Sequence, residues 1–363
     1  MLPRDMISTG ALILRPLAEA DAGELARMCD DPVSARFMPL LPRPFLLEHA
    51  LDYVRGAAER WESGGATFAI TREGRFAGLV TVRPPDHWDV AELGYLVAPW
   101  ARGGGVASTA ARAITDWLFD HGVRRVQLEA EVENVASLRV AYKAGFHEEG
   151  RRREAKRLRD GRFADFVVFG RLKGDLAGPV EPYLPFFEGG ELSDGVVRLV
   201  PLALEDAEHF NRMLAEPSVA AFSMAETTTL ADDERRCRYT GYWWASGQRI
   251  ELAVRDAASG AFAGHLQLRQ VVPVVGQAMI GYSLVPAFRG KGYMSRAVGL
   301  LTDWAFAHTG LHRIVAGTDV ANKASQAVLE RAGFRREGVH RELFPRPDGT
   351  RADEVVWARL RPS

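Results

Sequence analysis

Two short runs in this sequence have the composition of an anion cradle, Arg102-Gly103-Gly104-Gly105-Val106-Ala107 and Arg289-Gly290-Lys291-Gly292-Tyr293-Met294. A glycine turn between a strand and a helix aims several backbone N–H groups at one point, and the positive end of the helix dipole reinforces them. Glycine lets the main chain approach phosphate oxygens without a Cβ in the way, while Arg102 or Arg289 can add a charged contact, so the chemistry implied is pyrophosphate binding. A tight turn that holds nothing is the competing reading, and recurrence with fixed companions weakens it. Trp117 and Trp304 follow, then Asn134-Val135-Ala136-Ser137 and Asn322-Lys323-Ala324-Ser325, then Ala144-Gly145-Phe146 and Ala332-Gly333-Phe334. The Arg and Trp pairs are 187 residues apart and the Asn pair 188. Neither run fits a Walker loop, because Lys291 sits between two glycines, nor a dinucleotide fingerprint, because each loop follows the fourth strand of its unit.

Those loops need a strand before them and a helix after them. Residues 90–97 read as the strand, and the helix through about 121 carries Ala110, Ala113, Ile114, Trp117 and Leu118 on one face. Upstream lie a strand at 11–16, a helix at 20–29 that Asp21 is placed to cap, and a helix at about 46–62. Strands at about 66–72 and 75–83 follow, joined by a Glu73-Gly74 turn. Downstream lie a strand at 125–130, a helix at 134–144 and strands at about 146–152 and 163–171. The second half repeats the order β-α-α-β-β-β-α-β-α-β-β from a strand at 196–200 to one near 352–360.

The repeat predicts a domain over 1–175, a linker over 176–193 and a second domain over 194–363. Gly178-Pro179, Pro182, Pro185 and Gly189-Gly190 break both periodicities in the linker, and its Tyr183, Phe186 and Phe187 predict that it packs. Lys plus Arg (46) nearly balances Asp plus Glu (47), which removes the electrostatic footprint of a general nucleic-acid binder. Neither a signal segment nor an apolar run of bilayer length is seen, so no membrane association and a cytoplasmic location are expected. Cys29 and Cys237 do not occupy matching positions and read as buried free thiols; no metal-ligand spacing occurs, and no metal is expected.

The pattern of a glycine loop opening a helix, then Asn-x-x-Ser and Gly-Phe, resembles the signature of the GNAT superfamily of acyl-CoA N-acyltransferases. The details are similar to its RimJ/RimL-type branch: Leu93-Gly94-Tyr95 and Ile280-Gly281-Tyr282 before the loops, and Asp160-Gly161 with Asp165 or Asp348-Gly349 with Asp353 in the last hairpin. The resemblance covers nearly all of both halves and is specific for acyl-CoA binding rather than for an acceptor. It implies an α/β (α+β) class with two tandem GNAT-like domains, each a mixed, mostly antiparallel central sheet flanked by helices, with strands four and five splayed apart. It further implies that the gap leaves backbone groups of Leu96-Val97 and Leu284-Val285 to pair with a pantetheine arm, and that Asn134 or Asn322 bonds the arm's amide. The implied co-substrate is acetyl-CoA or another acyl-CoA, and the implied reaction is direct attack on the thioester by an amine of a small molecule or of a peptide or protein N-terminus.

Such a reaction needs a proton acceptor for the amine and a donor for the departing thiolate. Glu92, just before Leu93-Gly94-Tyr95, is placed for the first task, although a solvated strand Glu would look the same; its counterpart is Met279, and Glu251, His265, Asp319 and Glu342 are the remaining choices there. Many relatives carry a Tyr seven residues after the Asn, where this chain has Ala141 and Leu329, and Tyr142 comes one residue late, turned about 100° away on a helix. Ser137 and Ser325 are therefore the expected donors, with a local backbone hydrogen bond as the alternative. The basic run Arg151-Arg152-Arg153, Lys156, Arg157 and Arg159 reads as a solvated cluster, or else as a receiver for an anionic acceptor or the CoA 3′-phosphate. The loops at 33–47 and 219–230 diverge, Met224 and Thr227 included, which points to different acceptors or one empty site. Two alternatives to an acetyltransferase stay open: an acyl-CoA-binding protein with one or both halves silent, and a transferase using another donor. The duplication allows a monomer with an internal pseudo-dimer or a homodimer.

Overall fold

The computed structural model describes residues 2–176, 178–223, 228–345 and 349–362; Met224, Thr227 and Asp348, named above, lie outside them. Contacts divide the chain into two units, Met1–Glu181 and Pro182–Ser363.

In the first unit the alternation of buried Leu12 and Leu14 with exposed Ile13 makes a half-buried strand, and the apolar faces at helical spacing make helices. The order is β1 (Ile7–Thr9), β2 (Leu12–Pro16), α1 (Ala22–Asp30), α2 (Pro32–Phe37), α3 (Leu47–Glu62), β3 (Ala66–Arg72), β4 (Arg75–Val82) and β5 (Val90–Val97). Then come α4 (Val106–Asp120), β6 (Arg125–Glu131), α5 (Val135–Lys143), β7 (His147–Arg157) and β8 (Phe163–Leu172). The sheet runs β1-β2-β3-β4-β5-β6-β8-β7, antiparallel except for the β5–β6 pair. Leu25 and Met28 of α1 and Val54 of α3 bury Ala69, Phe76 and Leu79 in one cluster. Trp117 of α4 meets Phe68 of β3 edge-on at 5.4 Å, and Phe68 points to the opposite side from Ala69 because strand side chains alternate.

The second unit repeats this plan: β9 (Leu192–Ser193), β10 (Val197–Pro201), α6 (Ala207–Ala215), α7 (Pro217–Ala220), α8 (Leu230–Ala245), β11 (Ile250–Asp256), β12 (Phe262–Val272) and β13 (Gln277–Leu284). It ends with α9 (Tyr293–His308), β14 (Arg313–Asp319), α10 (Lys323–Arg331), β15 (Arg335–Pro345) and β16 (Arg351–Leu360), in the sheet order β9-β10-β11-β12-β13-β14-β16-β15. The segment 182–193 belongs to this unit: Leu184 and Phe187 lie in its core, and the Trp244 indole donates to the Pro185 carbonyl at 3.0 Å.

Several local features depart from the expectation. The edge strands β1 and β9 and the helices α2 and α7 are too short to show a period in sequence. Strand β7 runs past residue 152 to Arg157 through two register shifts, its charged and mostly exposed residues hiding the alternation. Asp21 does not cap α1 with its side chain; its carboxylate accepts from the Ala18 N–H at 2.9 Å and from Arg15, tying β2 to the helix entry. Asp206 does the same in the second unit with the Ala203 N–H and Arg255.

Candidate active site

Strands β5 and β6 pair only at Val90, Ala91 and Glu92, opposite Arg125, Val126 and Gln127, after which they part. Strands β13 and β14 pair only at Gln277, Ala278 and Met279. On its other side β5 stays bonded to β4 as far as Val97, so the edge from Leu93 to Val97 faces a gap. In each unit a glycine on the neighbouring strand allows a close approach to the strand that borders the gap. A Cβ on Gly78 would stand 2.4 Å from the Leu96 carbonyl oxygen, and one on Gly264 would stand 2.4 Å from that of Ser283. These glycines are repeated in sequence, but a close backbone approach leaves no periodic signal there.

The glycine loops lie just beyond the gap. Gly103 and Gly105 adopt φ of 82° and 73°, and Gly290 and Gly292 adopt 75° and 80°, the left-handed region that side-chain-bearing residues avoid. Gly105 and Gly292 immediately precede α4 and α9, so the N–H groups of the loop and first turn have no helical carbonyl to bond. Val106 and Met294 point into the core and leave only their backbone for a ligand, whereas Ala107 is half-buried. The side chains around the two loops differ. The Arg102 guanidinium bonds Asp31 at 2.6 Å and the Ser34 hydroxyl at 2.9 Å. Desolvation pushes the Asp31 carboxyl up, but the hydrogen bonds from Arg102 and the Ser34 N–H outweigh it and keep it below its usual range. Arg72, from the end of β3, lies over Gly104 instead: a Cβ there would be 2.6 Å from its Nη1, and Arg72 has no ion pair among the described residues. The register counterpart of Arg72 is Asp256, the first lying opposite Leu12 and the second opposite Val197, and Asp256 accepts a hydrogen bond from the Tyr293 hydroxyl. Among the described residues, Arg289 and Lys291 hydrogen-bond only backbone carbonyls, of Leu284 and Ala287.

Asn134 and Asn322 cap α5 and α10, their side-chain oxygens accepting from the Ser137 and Ser325 N–H groups at 3.1 and 3.0 Å. Each Asn thus keeps its Nδ2 donor without a partner among the described residues. Across the gap, the Tyr95 hydroxyl lies 2.8 Å from Ser137 Oγ and 3.1 Å from its carbonyl oxygen, and Tyr282 repeats both distances at Ser325. Burial pushes both phenols above their ordinary range, so they are neutral hydrogen-bonding groups. The tyrosines stood in the motif before each loop, but only the fold shows that they meet the serines. Tyr142 is buried and donates to Glu148 at 2.6 Å, away from this cluster.

Glu92 is the last paired residue before the strands part, with its side chain 28% exposed and 3.0 Å from Arg83. Met279 occupies the same vertex in the second unit. Of the other choices there, Glu251 is fully buried and His265 nearly so, their side chains 2.5 Å apart with Arg236 also on Glu251. Burial keeps His265 neutral, and Glu251 stays ionised because its neighbours His265, Arg236 and Arg249 outweigh its own desolvation. This network is closed off from an incoming amine. Asp319 accepts from the Ala321 N–H at 2.7 Å, and Glu342 is exposed on β15. Half of the basic run is paired with carboxylates: Arg152 and Lys156 with Glu129, and Arg151 with Asp165.

Against known families, residues 11–147 and 197–335 each match the model described as "Acetyltransferase (GNAT) domain". The chain belongs to the GNAT acetyltransferase family. Among GNAT relatives, "Probable N-acetyltransferase YjcK" of Bacillus subtilis is 41% identical over 116 residues, covering 32% of this chain and 64% of that protein. The matched stretch is thus less than two thirds of that relative's length. Two solved structures each cover just under half of this chain. The ribosomal-protein-S5-alanine acetyltransferase from Vibrio fischeri is 21% identical with a TM-score of 0.45, covering 48% of this chain and 97% of its own. Mycobacterium smegmatis RimJ in complex with CoA-disulfide is 26% identical with a TM-score of 0.41, covering 46% and 82%. Among the described residues no helix is long and apolar enough to cross a membrane, and no group of three or more His, Cys, Asp or Glu is arranged to hold a metal ion.

Proposed function

We propose that the chain transfers an acetyl group from acetyl-CoA to a primary amine, of a small molecule or of a peptide or protein N-terminus. The observation that carries this reading is the gap of the N-terminal unit: it opens directly after Glu92, is bridged by Tyr95 and Ser137, and leads to a glycine loop that starts a helix. The residues suit an acyl-CoA. The free edge of Leu93–Val97, with Leu96 and Val97 nearest the loop, fits an extended amide-bearing arm, and Asn134 Nδ2 fits one of its carbonyls. The N–H groups from Gly103 to Ala107 fit the pyrophosphate, and Arg72 adds charge.

In the reaction the amine nitrogen bonds the acetyl carbon and gives its proton to Glu92, directly or through water, as the C–S bond breaks. Ser137, itself hydrogen-bonded to Tyr95, donates to the departing thiolate. In the C-terminal unit Leu284, Val285, Gly290, Lys291, Gly292, the Tyr293 and Met294 backbone and Asn322 form the corresponding donor site, with Ser325 beside Tyr282. A second reading applies to this unit alone: it binds acyl-CoA without turnover, favoured by Met279 at the vertex and the sealed Glu251. Thiol release from acetyl-CoA with an amine library tests transfer. Turnover by Glu92→Gln that matches the wild type across pH would remove Glu92 from its role, and replacing acetyl-CoA by longer acyl-CoA tests the donor.

A further inference from the structure

A cavity of about 380 Å³ lies in the N-terminal unit between α2, the segment after it and the turn joining β7 to β8. Ala35 and Leu158 give it a buried apolar wall, and Arg36, Arg43, Arg159 and Asp160 line it with charge. These charges are not equivalent. Arg36 is taken up by Glu131 at 2.8 Å and Glu133 at 3.2 Å, and Asp160 by Arg162 at 2.8 Å. Arg43 and Arg159 donate only to main-chain carbonyls, of Asp30 at 3.3 Å and Leu41 at 2.6 Å, and meet no carboxylate among the described residues. Two guanidiniums held by carbonyls beside an apolar wall, neither paired with a carboxylate among the described residues, are suited to a carboxylate or a phosphate.

The same helix ties the cavity to the gap. At its N-terminal end Asp31 and Ser34 hold Arg102 of the glycine loop, and toward its other end Arg36 holds Glu131, the last residue of β6. Helix α2 therefore links the loop after β5 to the end of β6, the two strands that part. We propose that the amine acceptor of the N-terminal half carries a carboxylate or phosphate group, bound by Arg43 and Arg159. The proposal rests on the acetyl-transfer reading above. The sequence of the C-terminal half lacks the two arginines at the matching places: residues 218–230 contain no Lys or Arg, and Pro347 precedes the Asp-Gly pair where Arg159 does in the first half.

The test compares matched acceptors, O-phosphoethanolamine against ethanolamine and β-alanine against its amide, by thiol release with the full chain. The expected result is a kcat/KM about 10-fold or more higher for the anionic member of each pair. In Arg43→Gln/Arg159→Gln that ratio should fall to near one; both residues are exposed, so the thermal midpoint should hold. Equal or better use of the neutral amines by the wild type, or a preference that survives both substitutions, overturns the proposal. If no amine is turned over, calorimetry of O-phosphoethanolamine and ethanolamine with the CoA-loaded chain decides: arginine-dependent binding of the phosphate compound supports the cavity assignment while the transfer reading falls, and no binding overturns the assignment too. A loss of affinity for CoA but not for 3′-dephospho-CoA in the double variant gives the cavity to the donor's phosphate and overturns the acceptor proposal.

Discussion

Glu92 and Met279 occupy the same vertex, and only one of them can accept a proton. If Glu92 deprotonates the amine, Glu92→Gln should lower kcat/KM about 100-fold at neutral pH, measured by thiol release. Ser137 and Tyr95 should behave as a coupled pair, because one hydrogen bond joins them at 2.8 Å. Ser137→Ala and Tyr95→Phe should each reduce kcat more than they raise KM, and the double variant should lose less than the product of the single losses. The cysteines have no part in this chemistry: burial pushes both thiols up to about 12. Neither Cys29 nor Cys237 should react with a thiol reagent in the native chain, and both should react after denaturation.

At the scale of elements, a buried polar pair sets the second sheet apart from the first. His265 of β12 stands at the register position of Leu79 of β4, each opposite an alanine of the preceding strand. A neutral His265 resists the proton that its unfolded form takes up below its ordinary value of 6.5, so stability is present above that pH and is lost as pH falls. Glu251 has the same sign: its folded value is held down, and the stability present above its ordinary value of 4.5 is lost on further acidification. The thermal midpoint should therefore drop on going from pH 7.5 to 5, and His265→Leu should reduce that drop. Arg236→Met, which takes from the buried Glu251 one of its two guanidinium partners, should cost about 3 kcal/mol in urea unfolding. The loops carry a separate prediction, because Arg72 lies over Gly104 while Asp256 stands at its counterpart. Arg72→Ala should weaken acetyl-CoA binding to the N-terminal loop by about 10-fold, read by calorimetry.

For the whole molecule, two units with the same gap and the same left-handed glycines predict two acetyl-CoA molecules per chain in calorimetry. Substituting Gly105→Val should remove one and Gly292→Val the other, since a branched side chain resists φ near 75°. How much of this was legible in the sequence follows from the kind of interaction involved. Glycine loops and strand alternation are local, so the 187-residue repeat already displayed the two loops and the order of the long elements, while the parting of strands was implied by the family resemblance and not by any local pattern. Short elements such as α2 escaped, because six residues do not fill two helical turns. The partnerships of charges escaped too, since a sequence does not say which carboxylate an arginine will meet. Only the tertiary structure decided that Arg102 is held by Asp31 while Arg72 reaches the loop, and that Tyr95 closes on Ser137, 42 residues away. It likewise decided that Arg36 is neutralised while Arg43 and Arg159 are not. The physical reason is that local conformation depends on residues a few positions apart, whereas the charge and reach of a site depend on which distant side chains the folded sheet brings together.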